Sequence, residues 1–99
     1  MQKQYTMAHL RKSIMPVARR YRLQKVAVFG SAARGDMRKK SDVDLLIDVP
    51  PGTTLLDLVA MKKDFAERFN REIDVVTYDS LHHLLKDDIL REQKVIYER

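Results

Sequence analysis

The sequence predicts a small α/β fold of the α+β kind, one mixed β-sheet with helices packed on one face, and three observations carry that expectation. Two short runs rich in β-branched residues, KVAVF at 25–29 and EIDVVT at 72–77, each end at residues that stop a strand. Between them Val43, Leu45, Ile47 and Val49 alternate with Asp42, Asp44, Leu46 and Asp48, the period of a strand with one apolar face. Two longer stretches, 6–21 and 54–69, repeat apolar residues at intervals of three and four, the period of a helix face. At 99 residues the chain is expected to form one domain, with a thin core that holds without disulfides or a structural metal.

Each element has its own signal. Leu10, Ile14, Val17, Ala18 and Tyr21 line one face of the first helix, which Pro16 interrupts. A proline removes a backbone donor and crowds the carbonyl four residues back, so either this helix kinks or a second one starts near Ser13. Residues 25–29 read as a buried strand stopped by Gly30, and residues 31–33 can start a short helix that Gly35 ends. Pro50, Pro51 and Gly52 break the strand that carries the acids. Thr54 with Asp57 makes a capping-box-like start to the next helix. Leu55, Leu58, Val59, Lys62, Phe65, Ala66 and Phe69 then form its expected core stripe, with Lys62 the one polar member, snorkelling outward. In the third strand Asp74 shares a face with Val76 and opposes Ile73, Val75 and Thr77. Ser80 is expected to cap a short helix through Leu85, and Asp87 or Asp88 to start another through Arg91, with Leu81, Leu84, Leu85, Ile89 and Leu90 inward. The closing KVIYER is too short for periodicity to choose between helix and strand.

Composition removes several function classes. There is no cysteine, hence no disulfide framework, no thiolate metal site and no cysteine nucleophile. The amino terminus lacks an apolar h-region, and no apolar run approaches the ~18 residues a spanning helix needs, so a cytoplasmic protein without a membrane role is expected. Charge is unevenly placed: residues 1–41 carry +10 and residues 42–99 carry −5. The acid-poor part either faces phosphates or an acidic partner, or is a solvated helix end where Arg19, Arg20, Arg22 and Lys25 favour the carboxyl pole. Without aromatics interleaved among the cations, no stable nucleic-acid binding is expected.

The chemistry concentrates in FGSAARGDMRKKSDVDLLIDV, residues 29–49. A strand puts positions i and i+2 on one face, so the carboxylates of Asp42 and Asp44 must either repel or share a cation. Hard oxygen ligands of this kind suit Mg²⁺, which fills its remaining positions with water and substrate phosphates. Asp74 completes the site if its strand lies beside theirs and faces the same way, and three carboxylates suffice for two ions about 3.5–4 Å apart. Gly30 and Ser31, at a turn from strand into helix start, aim backbone N–H groups and a hydroxyl at one spot suited to phosphate oxygens. Ten intervening residues let the chain run out and return, so both halves end at the same edge of the sheet. The stretch reads as a holder for a metal-bound nucleoside triphosphate. Asp48 reads as an exposed strand end, and His9, His82 and His83 have no partners at metal-ligand spacing.

Gly30-Ser31, ten residues, Asp42-Val43-Asp44 and a later Asp74 resemble the motif of the DNA polymerase β-like nucleotidyltransferase superfamily. The run GSAARGD, then SDVDLLIDVPPGTTLLDL, IDVVT and LHHLLKDDIL, is similar specifically to its minimal members, the MNT antitoxins paired with HEPN-domain toxins, over residues 8–98. The resemblance implies a palm-like sheet, a single minimal nucleotidyltransferase domain over residues 1–99, and transfer of AMP from ATP to a tyrosine of a cognate HEPN ribonuclease toxin, which is thereby neutralised. It implies Asp42, Asp44 and Asp74 as catalytic residues and ligands of two Mg²⁺ ions, with Asp74 helping to deprotonate the acceptor. Gly30, Ser31 and Arg34 are the implied nucleotide contacts, Arg34 neutralising the departing phosphates. Three alternatives stand beside this reading: neutralisation of the toxin by steric blockade; nucleotidyl transfer to RNA or a small molecule, for which about a hundred residues leave little room beyond the catalytic sheet; and a basic nucleic-acid binder using the patch of residues 1–41, which would show a steep salt dependence of binding.

Overall fold

The computed structural model describes residues 7–30, 43–70, 72–81 and 83–99. Helix α1 (Met7–Arg20) leads into strand β1 (Lys25–Phe29), followed by β2 (Val43–Asp48), α2 (Leu55–Phe69), β3 (Ile73–Thr77), a 3₁₀ turn (Tyr78–Ser80), α3 (His83–Glu92) and β4 (Lys94–Glu98). The strands form one mixed sheet in the order β3-β2-β1-β4. β1 pairs antiparallel with β2 and β4, while β2 pairs parallel with β3 across the α2 crossover.

Alternation along the strands gives the sheet two unlike faces. Val26 and Val28 of β1, Val43, Leu45 and Ile47 of β2, Ile73 of β3 and Ile96 of β4 join Leu10, Ile14, Val17 and Ala18 of α1 and Met61, Phe65 and Phe69 of α2 in one core cluster. The opposite face carries Lys25, Ala27 and Phe29, then Asp44, Leu46 and Asp48, then Asp74 and Val76. Ala27 and Leu46 are buried there as well, and the 3₁₀ turn folds back toward β2 on that side, with the Lys25 ammonium 5.2 Å from the centre of the Tyr78 ring. Among the described residues no charged or polar side chain is buried, and no helix is long and apolar enough to cross a membrane.

Several local expectations are corrected. α1 runs through Pro16 as one helix, which rules out a second start near Ser13, one of the two outcomes expected there. Pro16 and Lys12 are both exposed, so water can reach the Lys12 carbonyl that loses its partner. α1 ends in a Schellman arrangement: the Leu23 N–H donates to the Ala18 carbonyl (2.8 Å) and the Arg22 N–H to the Arg19 carbonyl (3.3 Å), with Arg22 left-handed at φ 56°. In α2 the capping box forms, Thr54 and Asp57 each accepting the other's backbone N–H. The buried stripe, however, is rotated from the expected one. Met61, Phe65 and Phe69 are buried, with Leu58 and Ala66 packed beside them, whereas Leu55 (76% exposed), Val59 (60%) and Lys62 face solvent. Leu58, Phe65, Ala66 and Phe69 thus pack inward as expected, and Met61 takes the inward place that Leu55, Val59 and Lys62 do not fill. Lys62 therefore has no core stripe from which to snorkel.

The carboxyl-terminal part differs more. Ser80 caps no helix; its hydroxyl donates back to the Thr77 carbonyl (3.0 Å) and closes the 3₁₀ turn. One helix replaces the two expected, because Asp87 and Asp88 are interior to α3, where Asp88 pairs with Arg91 and the Asp87 carbonyl accepts from Arg91 Nε. Leu81, Ile89 and Leu90 are half-buried and lie outside the core cluster. The undecided tail is a strand: β1 offers a free edge, and KVIYE has the residues to pair with it. The register shifts between Val26 and Ala27, leaving Ile96 as the extra residue of a bulge.

Candidate active site

β1 ends, and β2 and β3 begin, at the same end of the sheet. The antiparallel register sets Phe29 opposite Asp44, and the parallel register sets Asp44 opposite Asp74. Residues paired in register project to the same side, and neighbouring strands lie about 4.8 Å apart, so the two carboxylates are rooted close enough to share a cation. The register is fixed locally by the Val43 N–H, which donates to the Glu72 carbonyl (3.1 Å) just before the acids. Asp44 is half-buried and Asp74 exposed. Sequence alternation alone does not select Phe29; its place beside Asp44 follows from the antiparallel pairing of β1 with β2.

Gly30 closes the site for two reasons. Its φ of +67° lies in the left-handed region, and a Cβ there would stand 2.6 Å from Asp44 Oδ2 and 3.6 Å from its Cγ. The Asp44 carboxylate thus rests against the bare Cα of the turn. The structure brings together Gly30, Asp44 and Asp74. Asp42, Ser31 and Arg34 lie outside the described residues, as does the short helix expected at 31–33. Among the described residues no three histidine, aspartate or glutamate side chains are grouped to hold a metal, and the described part of the expected ligand set is the Asp44 and Asp74 pair. Two carboxylates with a side-chain-free cradle against one of them are a donor set that fits a hard divalent cation carrying phosphate.

The other end of the same face is built differently. Asp48 is exposed and stands in register with Lys25, which also pairs with Glu98. The Tyr78 hydroxyl donates to Gln93 Oε1 (2.5 Å), tying the turn after β3 to the end of α3. Burial pushes the Tyr78 phenol up to about 12, with the negative charges of Asp48 and Glu98 adding to it.

Similarity to known proteins points the same way as the site. The family model described as polymerase beta, nucleotidyltransferase, matches residues 12–99. A candidate protein adenylyltransferase of Methanocaldococcus jannaschii is 40% identical over 83 residues, covering 84% of this chain and 89% of that protein. A solved structure of a candidate minimal nucleotidyltransferase superposes with a TM-score of 0.80 at 32% identity, covering 94% of this chain and 95% of the other. The fold is also shared, at a TM-score of 0.73 and 16% identity over 95% of this chain and 74% of the other, with a chain from a complex of a tri-AMPylated Shewanella oneidensis HEPN toxin and an MNT antitoxin. With its sheet, its glycine turn and its family match covering nearly its whole length, the chain belongs to the polymerase β nucleotidyltransferase family.

Proposed function

We propose that this chain is a cytoplasmic antitoxin of one minimal domain, residues 1–99, that transfers AMP from ATP to a tyrosine of a HEPN-type toxin and so neutralises it. The observation that carries the reading is the register pairing of Asp44 with Asp74 on adjacent strands, with Gly30 pressed against Asp44. The names of the similar proteins support it: an adenylyltransferase acting on proteins, and a toxin carrying AMP groups beside an MNT antitoxin.

Asp44 and Asp74, together with Asp42, would hold two Mg²⁺ ions, which when bound offset the charge of the triphosphate and acidify the acceptor hydroxyl. In the transfer the tyrosine oxygen bonds to the α-phosphorus, the bond from that phosphorus to the bridging oxygen breaks, and pyrophosphate leaves. The hydroxyl proton passes to the Asp74 carboxylate, which is exposed and able to meet an incoming side chain directly or through one water. The backbone at Gly30 and Ser31 grips the phosphates, and Arg34 balances charge on the leaving group. Half-burial suits Asp44 to a fixed ligand role and exposure suits Asp74 to the acceptor side.

Incubating the chain with ATP, Mg²⁺ and a HEPN-type toxin that it binds, followed by intact-mass spectrometry, tests this. A gain by whole AMP units on a tyrosine is expected, absent with Asp44→Asn. No gain on an active, correctly paired toxin overturns the reading. Silencing by blockade draws on one observation, the exposed Leu55, Leu56 and Val59 on α2, away from the acids. It is preferred if Asp44→Asn leaves the toxin unmodified yet inactive.

A further inference from the structure

We infer that the outward face of α1 is a docking strip for the sugar-phosphate backbone of a single-stranded nucleic acid, separate from the Asp44 and Asp74 site. α1, MAHLRKSIMPVARR, holds four Arg or Lys and no acid. Arg20 turns to Asp64 (3.4 Å), but Arg11, Lys12, Arg19 and the following Arg22 are exposed and form no ion pair among the described residues. At 1.5 Å per residue the helical row from Arg11 to Arg19 extends for about 12 Å, with Arg22 in the turn just beyond. Such a concentration of unneutralised cations on one helix calls for an anion of matching length.

Its surroundings select the kind of anion. Between Arg11 and Arg22 the residues not buried, apart from the cations, are the half-buried Ser13, Met15 and Tyr21 and the exposed Pro16, and the large exposed apolar residues, Leu55, Leu56, Val59 and Val95, are all on other elements. A protein partner would want an apolar centre here, whereas nucleic-acid interfaces are more polar and far more positive. Arginine forks match phosphate oxygens in pairs. No exposed aromatic on the strip can stack on a base, so contact is with the backbone and indifferent to sequence. A flexible strand can lay successive phosphates along a straight row, while a rigid duplex curves its phosphates away from it. α1 covers the helical face of the sheet and Asp44, Asp48, Asp74 and Glu98 lie on the other, so the sheet separates the strip from those carboxylates; of the α2 acids on its own side, Asp64 is held by Arg20 and the Tyr21 hydroxyl. Arg22 adds a second indication: it holds a cation at φ 56°, a helix-end position where glycine is the unstrained choice. The complex is weak and salt-labile, consistent with the missing stacking residues.

Fluorescence anisotropy with labelled oligouridylate and oligothymidylate of ~12 nucleotides tests the strip. Both are expected to bind, with log K falling against log salt at a slope of about −3, from four cations at roughly 0.7 per phosphate. The triple variant Arg11→Gln, Lys12→Gln, Arg19→Gln is expected to bind at least ~10-fold more weakly at low salt, with a slope near −1. Arg22→Gly is expected to weaken binding while leaving Tm unchanged or raised, which separates loss of the cation from loss of fold. Equal binding by the triple variant, or a slope near zero, overturns the proposal. So does tighter binding of a duplex of the same length, or of a polyglutamate peptide, the latter reassigning the strip to an acidic protein.

Discussion

The two faces of the sheet are made by the same strands and differ in almost every other respect. On one, Val26, Val28, Leu45, Ile47 and Ile73 vanish under α1 and α2; on the other, their immediate neighbours Asp44, Asp48 and Asp74 meet solvent. The period of two that builds the core therefore also aims the carboxylates. A shift of one residue in the pairing of β2 with β3 would bury acids and expose valines together, so the hydrophobic face acts as the clamp that keeps the acid pair in register.

Substitutions on the two faces should accordingly fail in different ways. Asp44→Asn is expected to lower the transfer rate by ~10²–10³, judged from the worth of a single transition-state contact, while thermal unfolding moves little. Phe65→Ala on the covered face should do the reverse in the first instance, lowering the unfolding free energy by about 3–5 kcal/mol in denaturant titration. Gly30→Ala sits where the two meet. A methyl at φ +67° and 2.6 Å from Asp44 Oδ2 should cost about 1–3 kcal/mol of stability and also displace the carboxylate, so rate and Tm fall together. If Gly30→Ala leaves the rate intact, the contact between the turn and Asp44 is incidental.

The smallest effect belongs to the far end of the open face. An unfolded tyrosine ionises near 10.0, whereas folded Tyr78 holds its proton to about 12. Between those values the folded state binds more protons, so unfolding free energy should decline as pH rises through that window. Tyr78→Phe should flatten this decline at the expense of the hydrogen bond to Gln93, worth about 1 kcal/mol. A pH dependence unchanged by Tyr78→Phe would separate this tyrosine from the open face's electrostatics.

What the sequence made legible follows from how local each signal is. The alternation at 43–48, the glycine stop at Gly30 and the Thr54 and Asp57 box depend on a few adjacent residues, and all three stand in the structure. The placement of Asp74 beside Asp44 needed only that β3 return next to β2, the ordinary outcome of a helix crossover. The stripe of α2 was legible at Leu58, Phe65, Ala66 and Phe69, but its edge was not, because only packing against the sheet chooses Met61 over Leu55 and Val59. β4 was hidden for the opposite reason: KVIYE carries no decisive period of its own and becomes a strand because β1 has an open edge. The proximity of Gly30 to the Asp44 carboxylate is a matter of tenths of an ångström, beyond what spacing along a chain can fix.

The proposed transfer requires carboxylates from adjacent strands to hold divalent cations together. Titration of Mn²⁺ in place of Mg²⁺, followed by electron paramagnetic resonance in the presence of a non-hydrolysable ATP analogue, tests that directly. Saturable binding is expected in the wild-type chain, lost in Asp44→Asn and weakened in Asp74→Asn, with circular dichroism unchanged in both. Identical Mn²⁺ binding by all three proteins would contradict it.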